Sequence, residues 1–527
     1  MSENQQIDAA RQYHTGTKHS YLSVRMEPHF LDWENKPLLF KIYPTLEVLR
    51  LPRDYQNTGK SALTAIAAED VQPKGESIPD LESLAQVLFF SAGVTKSRKH
   101  PEGETFFRAA ASTGALYEIE LYIVCTDIRS KVQLADGRSA LPAGVYHFGA
   151  AEFGLRQLRA GDFRRAIVTA AGDDPAMAHA PVIMVSTGTY WRNAWKYRSR
   201  TYRHFGWDDG TILANLLAIS SAMNLPASIF AGFRDSDVNA LLDLDTNREV
   251  AFSLVALGHT ESVPPVAPTT PPLALPTLPY SAKEVDYALM REMHQASSLD
   301  SATEVIAWRG TAPRNEVAPA KDTTAALLPL SDSRLPPDTV EQVIARRGST
   351  RQFARDPITL AQLSTMLDRA SRGIPADFLE PFGSHLNDLY LIVNNVVGLA
   401  AGAYVYHWEE RLLELLKRGE FREKAGYLGL EQQIPADAAA DVFFLADLER
   451  ILERYGNRGY RAVQLEAGII GGKLYLAAYA QKLGCSGLTF YDDDVVSFFS
   501  PHARGKSAIF LVALGRSRLR QSDAGRP

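Results

Sequence analysis

Two stretches of this 527-residue chain, KYRSRTYR from Lys196 and RYGNRGYR from Arg454, share one pattern: a cation, Tyr, two residues, Arg, one residue, Tyr-Arg. Lys196 and Arg454 are separated by 454 − 196 = 258 positions, and Gly210 and Gly468, like Leu225 and Leu483, fall at the same spacing. VALG ends at Gly258 and again at Gly515, 257 positions on. Upstream, with small gaps, ELYIV from Glu120 matches DLYLIV from Asp388, AGVYHF from Ala143 matches AGAYVYHW from Ala401, and LRQLRAGDFRRA from Leu155 matches LLELLKRGEFREKA from Leu412. Collinear matches through both strand-like and helix-like segments mean that the chain is a tandem duplication. It must therefore fold as two copies of one domain, and the economical arrangement is an intramolecular counterpart of a homodimer.

Between the copies lies SVPPVAPTTPPLALPTLP, Ser262 to Pro279, too proline-dense for a helix or a ladder and therefore an extended linker. A short amphipathic stretch follows, then irregular Ala-, Pro- and Thr-rich sequence. The expected organisation is an N-terminal extension over 1–74, a first domain over 75–260, a linker with a short helix over 261–336 and a second domain over 337–520. Within each copy the pattern reads helix, strand, strand, helix, a variable middle, a long helix and a strand, which indicates an α+β fold. LESLAQVLFFSAG has helical period, LYEIELYIVCTDI is β-rich, and DGTILANLLAISSAMNLP reads as a buried helix ended by Pro226.

The totals exclude several classes. Fifty-six basic against 61 acidic side chains, with no basic tract, argue against nucleic acid as a partner. The two cysteines, Cys125 and Cys485, lie far apart and form no metal-ligand cluster, so no metal site and a reducing compartment are expected. The polar start and the absence of a long apolar run point to a cytoplasmic protein without a membrane span.

The second copy opens with ARRGSTRQF, in which Arg346, Arg347, Ser349 and Arg351 place three guanidiniums and a hydroxyl within six residues, a set suited to a phosphate. In isolation this would be an ordinary solvated turn. Followed by PITLAQLSTML, it resembles the opening of flavin-dependent nitroreductases, where such residues bind FMN. The first copy carries FFRAAASTGALYEIELY, whose Arg108, Ser112, Thr113 and Gly114 resemble a segment of the SagB/ThcOx-type azoline dehydrogenases of that superfamily. YHTGTKHSYL from Tyr13, KYRSRTYR and ASIFAGFRDSDV resemble further signatures of the same branch. The resemblance implies two three-layer nitroreductase-like domains, each flavin lying at the interface between them.

The copies differ in a complementary way. Where the arginine-rich string should stand, the first copy reads TGKSALTAIAAED; where the Ser-x-Gly segment should stand, the second reads LEPFGSHLNDLY, with Phe382 between Pro381 and Gly383 and Ser384 displaced. Only Arg346, Arg347, Ser349 and Arg351 of one half with Arg108, Ser112, Thr113 and Gly114 of the other make a complete set, so one competent FMN site and one decayed site are expected. Gly487, after the second long helix, is a further cofactor candidate; Arg516 and Arg518 read equally well as a basic tail. A rival arrangement puts a second flavin against Lys18 and His19.

By resemblance the catalytic residues are Lys196 and Tyr197. A base would remove a proton from an azoline ring while hydride leaves for the flavin, giving a thiazole or oxazole; the reduced flavin would be reoxidised by dioxygen. Lys196 acts either as that base, after burial lowers its pKa from ~10.4, or as a cation stabilising a phenolate or anion. Arg454 at the equivalent position cannot deprotonate. The repeated distal Arg and Tyr-Arg are better explained by packing between or within the halves. The expected substrate is a modified peptide or carrier-bound intermediate, with other enzymes of a biosynthetic complex as partners. Two alternatives stand beside this: an NAD(P)H-dependent nitro- or quinone reductase, and a flavin-free scaffold.

Overall fold

Each half is built around one helix buried on every side, the Thr201–Ala222 helix in the first and the Gly459–Ala480 helix in the second. The computed structural model describes residues 2–518, apart from 27, 68–74, 101–102, 132, 134–136, 138 and 314–323. Against these helices lie two seven-stranded sheets. The first contains β1 (Leu49–Arg50), β2 (Ile119–Cys125), β3 (Gly144–Gly149), β4 (Gly154–Ala160), β5 (Val182–Thr189), β6 (Ala227–Phe230) and β7 (Glu249–Leu257), in the order β1-β4-β3-β2-β5-β7-β6. The second contains β8 (Thr324–Ala326), β9 (Asp388–Val393), β10 (Gly402–His407), β11 (Leu412–Arg418), β12 (Ala440–Ala446), β13 (Gly484–Leu488) and β14 (Ser507–Gly515), in the order β8-β11-β10-β9-β12-β14-β13. The topologies are identical and the ladders antiparallel. Register agrees too: Leu121 faces Ser186, and their counterparts Leu389 and Phe444 face each other. The fold class expected from the repeat is the one observed. The variable middle resolves into further strands, β4 and β5 in the first half and β11 and β12 in the second.

The halves meet along the two buried helices, and the meeting is symmetric. A Cβ on Gly206 would lie 2.5 Å from Gln464 Cβ, one on Gly210 2.5 Å from Gly468 Cα, and one on Gly472 2.5 Å from Ala214 Cβ. Each pair is a residue and its own counterpart 258 positions on, which is what happens on a two-fold axis. Glycine is required here for close approach of two backbones, and Trp207 Nε1 closes the contact by donating to Gln464 Oε1 at 2.7 Å.

The repeated string performs a second symmetric task. Arg200 and Arg203 reach across to Asp492 of the second half at 3.1 and 2.7 Å, while Arg458 and Arg461 reach back to Asp235 of the first at 2.6 and 2.7 Å. All six side chains are buried. Arg203 also donates to the His14 carbonyl and Thr17 Oγ1, and Arg461 to the His294 carbonyl and Ser297 Oγ. His14 ends the helix Asp8–Gly16 and His294 the helix Ala288–Ala296. The duplication therefore reaches into the extension and the linker, each of which supplies one helix and one edge strand, β1 or β8, in equivalent places. Residues 262–279 carry no regular structure, as the prolines require.

Candidate functional site

Of the arginine string of the second half, Arg347 reaches the first half, at the carbonyls of Arg108 and Ala109 just before Ser112–Gly114. Arg347 follows the helix Val340–Arg346, whose start is fixed by a reciprocal cap between Thr339 and Gln342. Its buried guanidinium donates through Nε to the Ala109 carbonyl at 2.7 Å and through Nη2 to the Arg108 carbonyl at 2.9 Å. It also lies 5.6 Å from the ring centre of Tyr475. Tyr475 joins the other two second-half candidates: its hydroxyl is 3.1 Å from Ser349 Oγ and accepts from Gly487 N at 2.6 Å. Arg351 is exposed and has no counter-ion among the described residues. The segment carrying it pairs with the chain end, Phe353 against Ser517, so Arg518, also exposed, lies alongside.

Lys196 and Tyr197 complete the constellation from the first half. They end the helix Tyr190–Tyr197, and the next residue, Arg198, has φ 48° and ψ −140° where its counterpart is Gly456. A side-chain-bearing residue held in a glycine-like conformation is strain, and strain concentrates at functional positions. Gly114, with φ 67°, is pressed against Tyr197: a Cβ there would lie 2.8 Å from the phenol oxygen. Lys196 has no hydrogen-bond or ion-pair partner among the described residues; desolvation, then the charges of Arg351 and Lys36, push its pKa below the ordinary value. Burial raises that of Tyr197, and Asp208 and Glu118 raise it further.

Other candidates are already engaged. Arg346 pairs with Asp338 and donates to the Tyr479 carbonyl. The Arg108 guanidinium turns away from Arg347 to the Leu39 carbonyl and lies over Phe40 and Tyr117, and its Nε is buried without a partner. Lys18 pairs with Asp493, and the His19 amide donates to Asp492. Ser112 and Thr113 bind a residue that sequence reasoning missed, Asp208 of the first central helix. Its signal was present: the position 258 further on is also an acid, Glu466.

The pseudo-symmetric position is filled by the protein itself. Ile229, counterpart of Gly487, donates its N–H to the Pro375 carbonyl at 2.8 Å and accepts from Asp377 N at 3.0 Å. The Asp377 carboxylate takes the amides of Ala231 and Gly232, both at 2.9 Å, and Arg309 Nε at 3.2 Å. Tyr455, counterpart of Tyr197, donates to the Phe378 carbonyl at 2.8 Å, and Arg454, counterpart of Lys196, holds the carbonyls of Arg309 and Thr311. What remains is a cavity of about 390 Å³ beside this plug, bordered by Ser228, Phe230, Arg309, Glu380 and Phe382. Among the described residues no cluster of metal-ligating side chains occurs, and no helix is long and apolar enough to cross a membrane.

Comparison with known proteins agrees with this architecture. A protein of Methanocaldococcus jannaschii named for the nitroreductases, MJ1384, is 28% identical over 165 residues, covering 30% of this chain and 81% of its own. A crystal structure of a nitroreductase-type protein of Anabaena variabilis superposes with a TM-score of 0.76 at 24% identity, covering 97% of this chain and 99% of that one, which shows a shared fold over the full length. The profile of the nitroreductase family matches residues 75–259 and again 344–516. The chain thus belongs to the nitroreductase family of oxidoreductases and carries its domain twice.

Proposed function

We propose that the protein is an FMN-dependent dehydrogenase with a single flavin site built from both halves, oxidising an azoline in a peptide or carrier-bound substrate to the aromatic azole. One observation carries the single-site reading: Arg347 of one half holds the carbonyls of Arg108 and Ala109 of the other, just before Ser112–Gly114, while the equivalent position is plugged by Pro375–Asp377. The residues present suit FMN. Arg351 and Arg518, without counter-ions among the described residues, offer charge to a phosphate, and Ser349 offers a hydroxyl beside the Tyr475 hydroxyl that Gly487 N holds. The buried hydroxyls of Ser486 and Thr489, beside Gly487, have no hydrogen-bond partner among the described residues. When bound, FMN supplies the hydride acceptor.

The chain's own task is the proton. Aromatising an azoline removes a hydride from one carbon and a proton from its neighbour. Lys196, its pKa lowered and its ammonium without a hydrogen-bond or ion-pair partner among the described residues, is equipped to take that proton, and Tyr197, kept protonated by burial and by nearby Asp208, to orient the ring by donating a hydrogen bond. Absorption spectra and cofactor extraction of the purified full chain test the reading. One FMN per chain supports it; two would refute the single site, and colourless protein that takes up no FMN would leave a scaffold. Lys196→Ala should keep the colour and abolish azoline oxidation. Rapid NAD(P)H oxidation with a nitroaromatic acceptor, unaffected by Lys196→Ala, would instead establish the reductase.

A further inference from the structure

We infer, resting on the flavin reading above, that Asp208 is the positioning residue of the proposed site: it grips the Ser112–Tyr117 turn beside Tyr197, while Glu118 next to it carries a proton that the two carboxyls share.

The turn needs holding. Gly114, Ala115 and Tyr117 all have positive φ, 67°, 55° and 53°, and two of these residues bear side chains. Asp208 supplies the grip. Its carboxylate accepts from Ser112 Oγ at 2.6 Å, Thr113 N at 2.7 and 2.9 Å and Thr113 Oγ1 at 2.7 Å. Arg192 Nη1 on the Tyr117 carbonyl and Asn193 Nδ2 on the Thr113 carbonyl close the other side. Gly114, at the tip, is the residue in contact with Tyr197.

Glu118 meets the same serine, fully buried, with Oε2 3.5 Å from Ser112 Oγ and Oε1 without a hydrogen-bond partner among the described residues. Two buried carboxyls that share one serine hydroxyl, Ser112 Oγ, cannot both be ionised. Asp208 already has donors, so the proton sits on Glu118, whose pKa burial and Asp208 push far up. The charged groups around the pair do not cancel this. Arg192 is committed to Glu120 at 2.7 Å, Arg108 faces Leu39, Arg347 faces the carbonyls of Arg108 and Ala109, and Asp209 and Tyr197 add no positive charge.

The second half shows that the fold does not need Glu118. There Glu466, counterpart of Asp208, holds the amides of Leu386 and Asn387 and the Asn387 side chain. The counterpart of Glu118 is Leu386, since 118 + 268 = 386 in the register that matches Glu120 to Asp388. One acid grips the loop in both halves. The second acid, costly to bury, occurs in the first half, where the loop touches Tyr197, and is Leu386 in the second.

The test uses the full chain and two readouts that need no flavin. Hydrogen exchange of peptides covering residues 109–118 should rise about tenfold in Asp208→Asn, as expected for lost charge-assisted bonds, with the Leu386–Asn387 region unchanged. Glu118→Gln, which imitates the protonated acid, should leave exchange within twofold and remove one protonated-carboxyl band from the infrared difference spectrum. FMN affinity, read by flavin fluorescence, should fall at least tenfold in Asp208→Asn, hold in Glu118→Gln and recover in Asp208→Glu, the sibling's residue. Unchanged exchange in Asp208→Asn, equal loosening in Glu118→Gln, or no infrared difference would overturn the inference. Should Asp208→Asn not fold, Thr113→Val removes one donor and must loosen the same segment. A wild type that binds no FMN would defeat the flavin reading alone, because the exchange and infrared arms stand without it.

Discussion

The helix crossing offers a test in which two damaging changes should repair each other. Gly472→Ala adds a methyl 2.5 Å from Ala214 Cβ and 3.1 Å from Thr211 Cα. Overpacking of a closed core costs up to about 3 kcal/mol, and the gain in helix propensity returns about 1, leaving a loss of about 2 kcal/mol. Ala214→Gly loses about 1 kcal/mol of propensity and about 1 kcal/mol from the missing buried methyl, again about 2. Independent effects would give about 4 kcal/mol for the double variant. In Gly472→Ala with Ala214→Gly, however, the methyl merely changes sides, the propensity terms cancel and only the 3.1 Å approach to Thr211 remains. The double variant should lie within about 1 kcal/mol of wild type, a coupling of about 3 kcal/mol. Urea denaturation of all four proteins, followed by circular dichroism with slopes compared, measures it. Strict additivity would show that the two helices do not approach as described.

Three further outcomes follow from the geometry. Asp235→Asn leaves Arg458 and Arg461 facing a neutral side chain and should cost about 3–5 kcal/mol. Those guanidiniums hold Asp235 down to about 2, so its stabilisation is complete above the unfolded value of ~3.9 and is lost as pH falls through about 2; acid titrations of the variant should lack that component. If Lys196 is the base, activity rises with pH through its depressed pKa; Lys36→Gln removes a neighbouring positive charge and should move that limb to higher pH without changing the plateau. A limb that stays put would disconnect it from Lys196. Gly114→Ala combines a left-handed backbone, worth about 1–2 kcal/mol, with a methyl 2.8 Å from the Tyr197 oxygen, and should lower turnover about tenfold while the protein stays folded by thermal denaturation.

The repeat was the legible part of this molecule. Because Gly210 and Gly468 recur at one spacing, their contact could be read once a two-fold arrangement was granted, and Arg200, Arg203, Arg458 and Arg461 recur for the reciprocal clamp. The equivalence of the helices Asp8–Gly16 and Ala288–Ala296 was hidden, since it rests on little more than His14 with His294 and Thr17 with Ser297, and much of each contact is made by backbone carbonyls. The plug was hidden for the same reason: Pro375 and Ile229 meet through main-chain atoms that any residue supplies. Arg346 and Arg347 are adjacent in sequence, yet one binds Asp338 and the other the neighbouring half, because the chain leaves its helix between them.

A symmetric pair of separate subunits cannot alter one face without altering both, since each substitution is written twice. Joined end to end, as here, the halves are released from that rule. Ile229 gives its amide to the Pro375 carbonyl, while that of its counterpart Gly487 goes to the Tyr475 hydroxyl. The stoppered face can therefore change without the same change being imposed on its counterpart, and the cavity of about 390 Å³ beside it gives such change room to begin.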